Sequence, residues 1–355
     1  MKKIIFTLYL LLAMFPFIWS QTILNANGTG NTYEDINAVL APNYNVVEVP
    51  DCVHNAFGRH IDEIFDTELN ENVFRFFAHK IPDNDRCQNF DRQRTEIKTY
   101  SQSPDDLKAT LGETVEYKWR FKLPVGFQVS PNFTHLHQIK SVGGSFASIP
   151  MITITARKAT PDRIELRYTP TNNQSTIQTA NLDLFRGHWV EATEIITFSD
   201  TGSYTIELKR VSDDSILLSY NNNAIDTWQD GADFARPKWG IYRSLINIDD
   251  LRDEEVLFNN FSIEEIDELS ISDFEIAPDE ITLVPNPAKN SITFKNANKE
   301  DYDAIILYNT LGEIIPIEKR LTENKLDVSE LTSGLYYIVF TKNKRQIKVL
   351  KCLIK

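Results

Sequence analysis

The chain has 355 residues, 42% hydrophobic and 25% charged, with 13 Gly and 15 Pro, which excludes the disordered and collagen-like classes. Fifty acidic against 37 basic residues give a formal charge of -13. That balance excludes a general nucleic-acid coat, so any anionic ligand has to be held by a local cluster.

In chain order, residues 1–20 hold two lysines, an apolar run from Ile4 to Trp19, and Ser20, the pattern of a secretory signal. The run is shorter than the ~20 residues of a comfortable span, so no transmembrane segment is expected in the mature chain. Helical periodicity is weak and confined to Tyr33–Leu40 and His60–Glu68. Cys52 and Cys87 flank an aromatic and charged segment. In an oxidising compartment they are expected to pair, a closure worth ~3 to 4 kcal/mol. Cys352 is left as a buried thiol. With no C-x-x-C or H-E-x-x-H pattern, no metal site is expected and no cofactor is required, while loops rich in Asp and Asn leave a structural calcium ion open.

Strand signals dominate residues 21–264. In Thr114–Leu123 the residues Val115, Tyr117, Trp119, Phe121 and Leu123 alternate with charged ones, the period of a half-buried strand. Further strands are predicted at Met151–Ala156, Arg163–Thr169, His188–Ile196, Ser203–Lys209, Ser215–Asn221 and Val256–Glu264. Short strands between Asn, Asp, Gly and Pro turns predict an all-β jelly-roll (concanavalin-like) sandwich.

Three other segments carry the chemistry. In Asp91–Tyr100, Arg92, Arg94, Glu96 and Lys98 share one face. In Phe133–Lys140, Gln138 and Lys140 share a face, with Phe133, His135, His137 and Ile139 opposite. In Lys238–Tyr242, Lys238, Gly240 and Tyr242 oppose Trp239 and Ile241. Isoleucine marks the core side in each. As neighbours, these strands would gather Arg94, Glu96, Lys98, Gln138, Lys140, Lys238 and Tyr242 into a basic patch on an acidic domain, suited to a polycarboxylate. The competing reading is a solvated face with ordinary cross-strand ion pairs.

Charge divides the chain. Residues 281–355 carry 12 basic and 8 acidic residues, whereas 21–280 carry a net -19. Residues 265–280 are an acidic linker. The C-terminal part consists of short alternating strands, expected as a small β-sandwich.

Its segments VPNPAKNSITF, ILYNTLGEI, LDVSELTSGLYYIVF and VLKCLIK resemble the type A sorting domain of the type IX secretion system. The resemblance implies partnership with that machinery, passage across the outer membrane, removal of the module, and release or attachment at the cell surface. In the first domain, RTEIK is similar to the RSELR motif of family 7 alginate lyases and QIK to their QIH. KWGIY is similar to their YFKAGxY strand and to the KFGIY strand of heparin lyase I. Lys140 stands where those lyases have His, so that role does not carry over. A Lys and Tyr pair is instead similar to the jelly-roll ulvan lyases of family 28.

The resemblance implies a secreted polysaccharide lyase that cleaves a uronate polymer by β-elimination, ulvan first, then alginate or glucuronan. Arg94, helped by Gln138, would neutralise the uronate carboxylate, and Glu96 would hold Arg94 or Lys98. Lys140 would be the base, depressed from its usual ~10.4 by Arg94, Lys98 and Lys238. Tyr242 would protonate the leaving oxygen, or serve as both base and acid if the elimination is syn. His137 is the rival base, against the reading of a core histidine, and a β-bulge would alter its face. Arg92, His135, Lys238, Arg243 and Trp228 complete the expected substrate contacts. Two other functions compete. A hydrolase needs paired carboxylates, and the E-x-D-x-x-E signature fails at Ser270. A non-catalytic glycan-binding protein would need only the fold and the patch.

Overall fold

The structure is a computed structural model that describes residues 21–28, 30–266, 281–295, 302–310, 313–317, 321–322, 324–342 and 345–355. The expected signal, residues 1–20, and positions 267–280 of the expected linker lie outside the described residues. The chain divides into two compact units, one ending at Ile266 and one beginning at Asp267.

The first unit begins with β1 (Thr22–Leu24), α1 (Thr32–Leu40), β2 (Val47–Glu48), β3 (Ile61–Asp66), β4 (Glu71–Ala78) and β5 (Arg92–Lys98). It continues through β6 (Thr114–Lys122), β7 (Thr134–Gly143), β8 (Ile152–Arg157), β9 (Arg163–Tyr168) and β10 (Ser175–Asn181). The last strands are β11 (Trp189–Thr197), β12 (Gly202–Arg210), β13 (Ile216–Ile225), β14 (Ala232–Ser244) and β15 (Glu254–Glu265). They form two antiparallel sheets, one ordered β13-β12-β11-β6-β15-β4-β3 with β1 on β15, the other β10-β9-β8-β7-β14-β5-β2. The chain passes repeatedly between them, as from β4 to β5 to β6 to β7, which makes this an all-β jelly roll.

Alternation builds the core between the sheets. Val115, Tyr117, Trp119 and Phe121 of β6 are buried, as are Ile139 of β7, Trp239 and Ile241 of β14 and Ile97 of β5. Tyr33–Leu40 is helical as expected, within α1, but His60–Glu68 is not: Ile61–Asp66 is a strand paired with β4. Only Ile61 and Asp66 of that strand are buried, and pairing with β4 overrides a weak helical period. The Cys52–Cys87 disulfide is present.

The second unit has two four-stranded sheets. One orders Thr282–Val284, Ser291–Lys295, Lys325–Asp327 and Leu321–Thr322; the other orders Ile314–Ile315, Ala304–Asn309, Gly334–Lys342 and Arg345–Ile354. Its own core includes Ile292, Phe294, Leu307, Leu326, Ile338, Phe340 and the thiol of Cys352.

Candidate active site

The three chemistry-bearing segments are neighbours, because β14 pairs with β7 on one side and β5 on the other. Tyr242 lies opposite Arg94 and His135, Gly240 opposite Glu96, and Lys238 opposite Lys98 and Gln138. The polar face continues into β2, where Glu48 lies opposite Glu96, and into β8 and β9, where Thr155 lies opposite both His135 and Glu165.

At the middle of this face two carboxylates are buried among cations. Glu96 accepts from Arg94 Nη1 at 2.5 Å, from Lys238 Nζ at 2.7 Å and from the amide of Gln138. Glu48 accepts from Lys238 at 2.5 Å, Lys98 at 2.7 Å and Arg86 at 2.6 Å. Burial raises the pKa of Glu48, yet Lys238, Arg94, Lys98 and Arg86 together hold it far below the carboxylate range. Arg94 also donates to Asp85, Nε to Oδ1 at 2.9 Å.

The phenol of Tyr242 sits at the edge of this network. Arg92 Nη1 donates to its hydroxyl at 3.2 Å, and the Arg94 guanidinium lies 3.7 Å from its ring centroid. His135 packs beside it with ring centroids 5.9 Å apart, and Phe133 stacks on His135. His135 Nδ1 is 2.7 Å from Thr155 Oγ1. Burial pushes the pKa of His135 down to about 3; Glu96 opposes the shift, while Arg157, Arg94 and Arg167 add to it.

A second cluster lies toward β9, where Glu165 binds Arg157, Arg163 and Arg167 at 3.0, 2.7 and 2.8 Å. Arg236, opposite Lys140, is 5% exposed, and its Nε and Nη1 have no hydrogen-bond partner. With all groups ionised, ten basic side chains (Arg86, Arg92, Arg94, Lys98, Lys140, Arg157, Arg163, Arg167, Arg236, Lys238) meet five acidic ones (Glu48, Asp85, Asp91, Glu96, Glu165) on or against this face. The patch is therefore basic within an acidic domain.

Several expectations need correction. Lys140 and Tyr242 stand well apart along β7 and β14. Lys140 lies opposite Arg236 and Tyr242 opposite His135, five residues apart on β7 and six on β14, roughly 16 to 20 Å at ~3.3 Å per residue. Lys140 Nζ donates instead to the carbonyl of Ser148 at 2.9 Å. Its pKa is lowered to about 7, first by burial and then by Lys238, Arg236 and Arg94. Arg94 is less than one-tenth exposed and its nitrogens are taken by Asp85, Glu96 and Glu48. It braces the site and is not free to fork onto a substrate carboxylate.

His137 is fully buried, stacked on Trp119 and bonded through Nε2 to Glu194 of the other sheet at 2.8 Å, so it is a core histidine. His135, expected on the core side, faces Tyr242 because the register shifts between His135 and His137. Arg243 points away from the patch, fully buried against Gln93, Ala78 O and Arg252 O. Trp228 belongs to the hydrophobic core. The reading along the sequence missed Arg236 and the β9 cluster, though period-2 alternation from Lys238 and along RIELRY points to both. Glu48 and Asp85 carried no local signal.

No curated protein is significantly similar to the chain in sequence. Among solved structures it is similar to a marine PL-14 alginate lyase from Aplysia kurodai, at 14% identity and a TM-score of 0.46, over 69% of this chain and 98% of that one. It is also similar to an endo-β-1,4-glucuronan lyase from Trichoderma reesei, at 15% identity and TM-score 0.42, over 58% and 87% of the two chains. An alginate lyase of polysaccharide lyase family 7 matches at 13% identity and TM-score 0.40, over 62% and 93%. Residues 282–355 match the family model described as Secretion system C-terminal sorting domain, so the chain ends in such a domain, which indicates export or display at the cell surface.

Proposed function

We propose that the first unit, residues 21–264 with their immediate continuation, is a polysaccharide lyase that cleaves a uronate-containing polymer by β-elimination. The observation that carries this reading is the contact of one phenol, Tyr242, with two guanidinium groups and a neutral histidine on a basic face. Elimination removes the weakly acidic C5 proton, forms the C4–C5 double bond and expels O4. Its main electrostatic demand is to neutralise the adjacent carboxylate.

Arg92 takes that task, since it is the most exposed cation touching Tyr242 and is otherwise paired only with the surface residue Asp91. His135 accepts the C5 proton and the Tyr242 hydroxyl protonates O4. A carboxylate bound at Arg92 would bring a negative charge toward His135, which opposes the lowering by burial and by Arg157, Arg94 and Arg167 and so raises the basicity of the imidazole. Arg94, Glu96 and Asp85 act as positioning residues, and Gln138 is fixed by Glu96. Lys140, Arg236 and the arginines of β9 bind further anionic groups of the polymer, while Lys238, buried between Glu48 and Glu96, braces the site. That surplus of cations keeps ulvan first, followed by alginate and glucuronan. Residues 1–20 as signal and 267–280 as linker, with Glu265 and Ile266 belonging to the end of β15 and the first unit rather than to the expected linker, complete an exported enzyme that the type IX machinery recognises.

The test is absorbance of the unsaturated uronate when the full chain is incubated with ulvan, alginate and glucuronan. At least one polymer is expected to give it. Tyr242→Phe and His135→Ala should each lower kcat/KM by about 100-fold or more, and Lys140→Ala by less than about tenfold. Reducing ends without that absorbance would make the protein a hydrolase; binding without either product would make it a glycan-binding module.

A further inference from the structure

Away from the basic face, three of the chain's six histidines meet around one carboxylate. One ligating atom from each of His54, His60, His79 and Asp83 lies within 4.8 Å of the others. His54 Nδ1 is 2.8 Å and His60 Nε2 3.2 Å from Asp83 Oδ1, while His79 Nδ1 is 3.0 Å from Oδ2. All four residues lie between Cys52 and Cys87, within the loop closed by the disulfide.

The surroundings are those of a built site. The Asp83 side chain is fully buried and its Oδ2 accepts from the backbone N–H of His79 at 2.7 Å. The His60 ring is fully buried, and its Nδ1 is 2.7 Å from Asp51 Oδ1. Asp51 in turn accepts from the Tyr33 hydroxyl at 3.0 Å. A carboxylate on the outer nitrogen fixes the tautomer and aims the other nitrogen inward, the arrangement that orients metal-bound imidazoles. Phe57 packs on His60 and His79 with centroids 4.9 and 4.2 Å away, and Phe77 stacks on His79, which makes the shell apolar. The side chains of His54 and His79 are 20% and 15% exposed, which leaves a path of entry.

We propose that His54, His60, His79 and Asp83 form a structural zinc site that locks residues 52–87. Three imidazoles and one carboxylate are a four-coordinate zinc donor set, whereas calcium and magnesium need six or more oxygens. Bonds of ~2.0 to 2.1 Å put tetrahedral ligands about 3.4 Å apart, so the four donors must close by about an ångström, within the reach of side-chain rotation. The ion takes the place of the protons now shared between the imidazoles and Asp83. Its effect reaches the basic face along the chain, because Asp83 stands two residues before Asp85, which grips Arg94, and three before Arg86, which grips Glu48. The site is independent of the lyase reading.

The experiment takes the full chain, strips it with a chelator and titrates it with zinc chloride, with metal content measured by mass spectrometry. One zinc per chain is expected, with a rise in Tm of about 5 °C or more at saturation. Replacement by cobalt should give the visible bands of a four-coordinate ion. His54→Ala and His79→Ala, at partly exposed positions, should fold by circular dichroism and bind zinc at least about tenfold more weakly, while His188→Ala binds as the wild type. A folded, stripped chain that takes up no zinc at tens of micromolar, or equal binding by both cluster variants, would overturn the proposal and leave a proton-linked network.

Discussion

At the scale of single residues, the basic face separates groups that touch the phenol from groups that only hold charge in place. Glu96 shows the second role: with no exposure and with Arg94, Lys238 and Gln138 all bonded to it, its charge keeps two buried cations tolerable. Lys140 is neither a brace nor a neighbour of Tyr242, and its chemistry follows from its pKa of about 7. Because that value is lowered from the usual lysine range, the side chain is cationic below pH 7 and neutral above it. Its help in binding a polyanion is therefore present in acid and lost as pH rises. KM is expected to rise about fivefold between pH 6 and 8.5, the equivalent of one contact of ~1 kcal/mol, and Lys140→Arg should flatten that rise. An identical slope in the arginine variant would assign the loss to another group. The type of residue on each strand face was legible from alternation except at His135, which the register shift turns. So was the pairing of Arg94 with Glu96; the bonds of Lys140 to Ser148 and of Arg94 to Asp85 were not, since Ser148 and Asp85 lie in loops whose course no periodicity records.

At the scale of elements, β14 organises the site, and two of its residues break strand rules for identifiable reasons. Pro237 lacks an N–H, yet pairing with β5 begins only at Lys238, so the missing donor faces no partner there. Its presence also hides from a sequence reading that the strand, and with it the basic face, continues back to Arg236. Gly240 has φ +142°, and a Cβ there would lie 2.1 Å from the carbonyl oxygen of Thr95 and 2.8 Å from Cα of Glu96. The close approach of β5 to β14 brings Arg94 under the ring of Tyr242. Gly240→Ala is thus expected to destabilise the fold by about 3 kcal/mol or more, measured by denaturant unfolding, and to lower turnover in the fraction that stays folded. Unchanged stability would mean that the two strands part without cost. The register shift that turns His135 toward Tyr242 belongs to this same region, and strict alternation read along FTHLHQIK had to put that histidine on the wrong side.

At the scale of the whole molecule, the two units carry separate hydrophobic cores, one from Leu24 to Ile263 and one from Ile281 to Ile354, with no residue in common. That separation was already visible as a change in the sign of net charge near residue 280. Every residue of the basic face and of the histidine cluster belongs to the first unit. A domain that buries its own core and holds its own ionisable network does not draw its stability from a neighbour that shares neither. A chain ended after Ile266 is therefore expected to keep the kcat/KM of the full chain within about twofold and its main thermal transition within about 2 °C. Steady-state kinetics and scanning calorimetry on both forms decide this. A truncated chain that unfolds much earlier, or loses turnover, would show that the sorting domain supports the first unit as well as marking it for export.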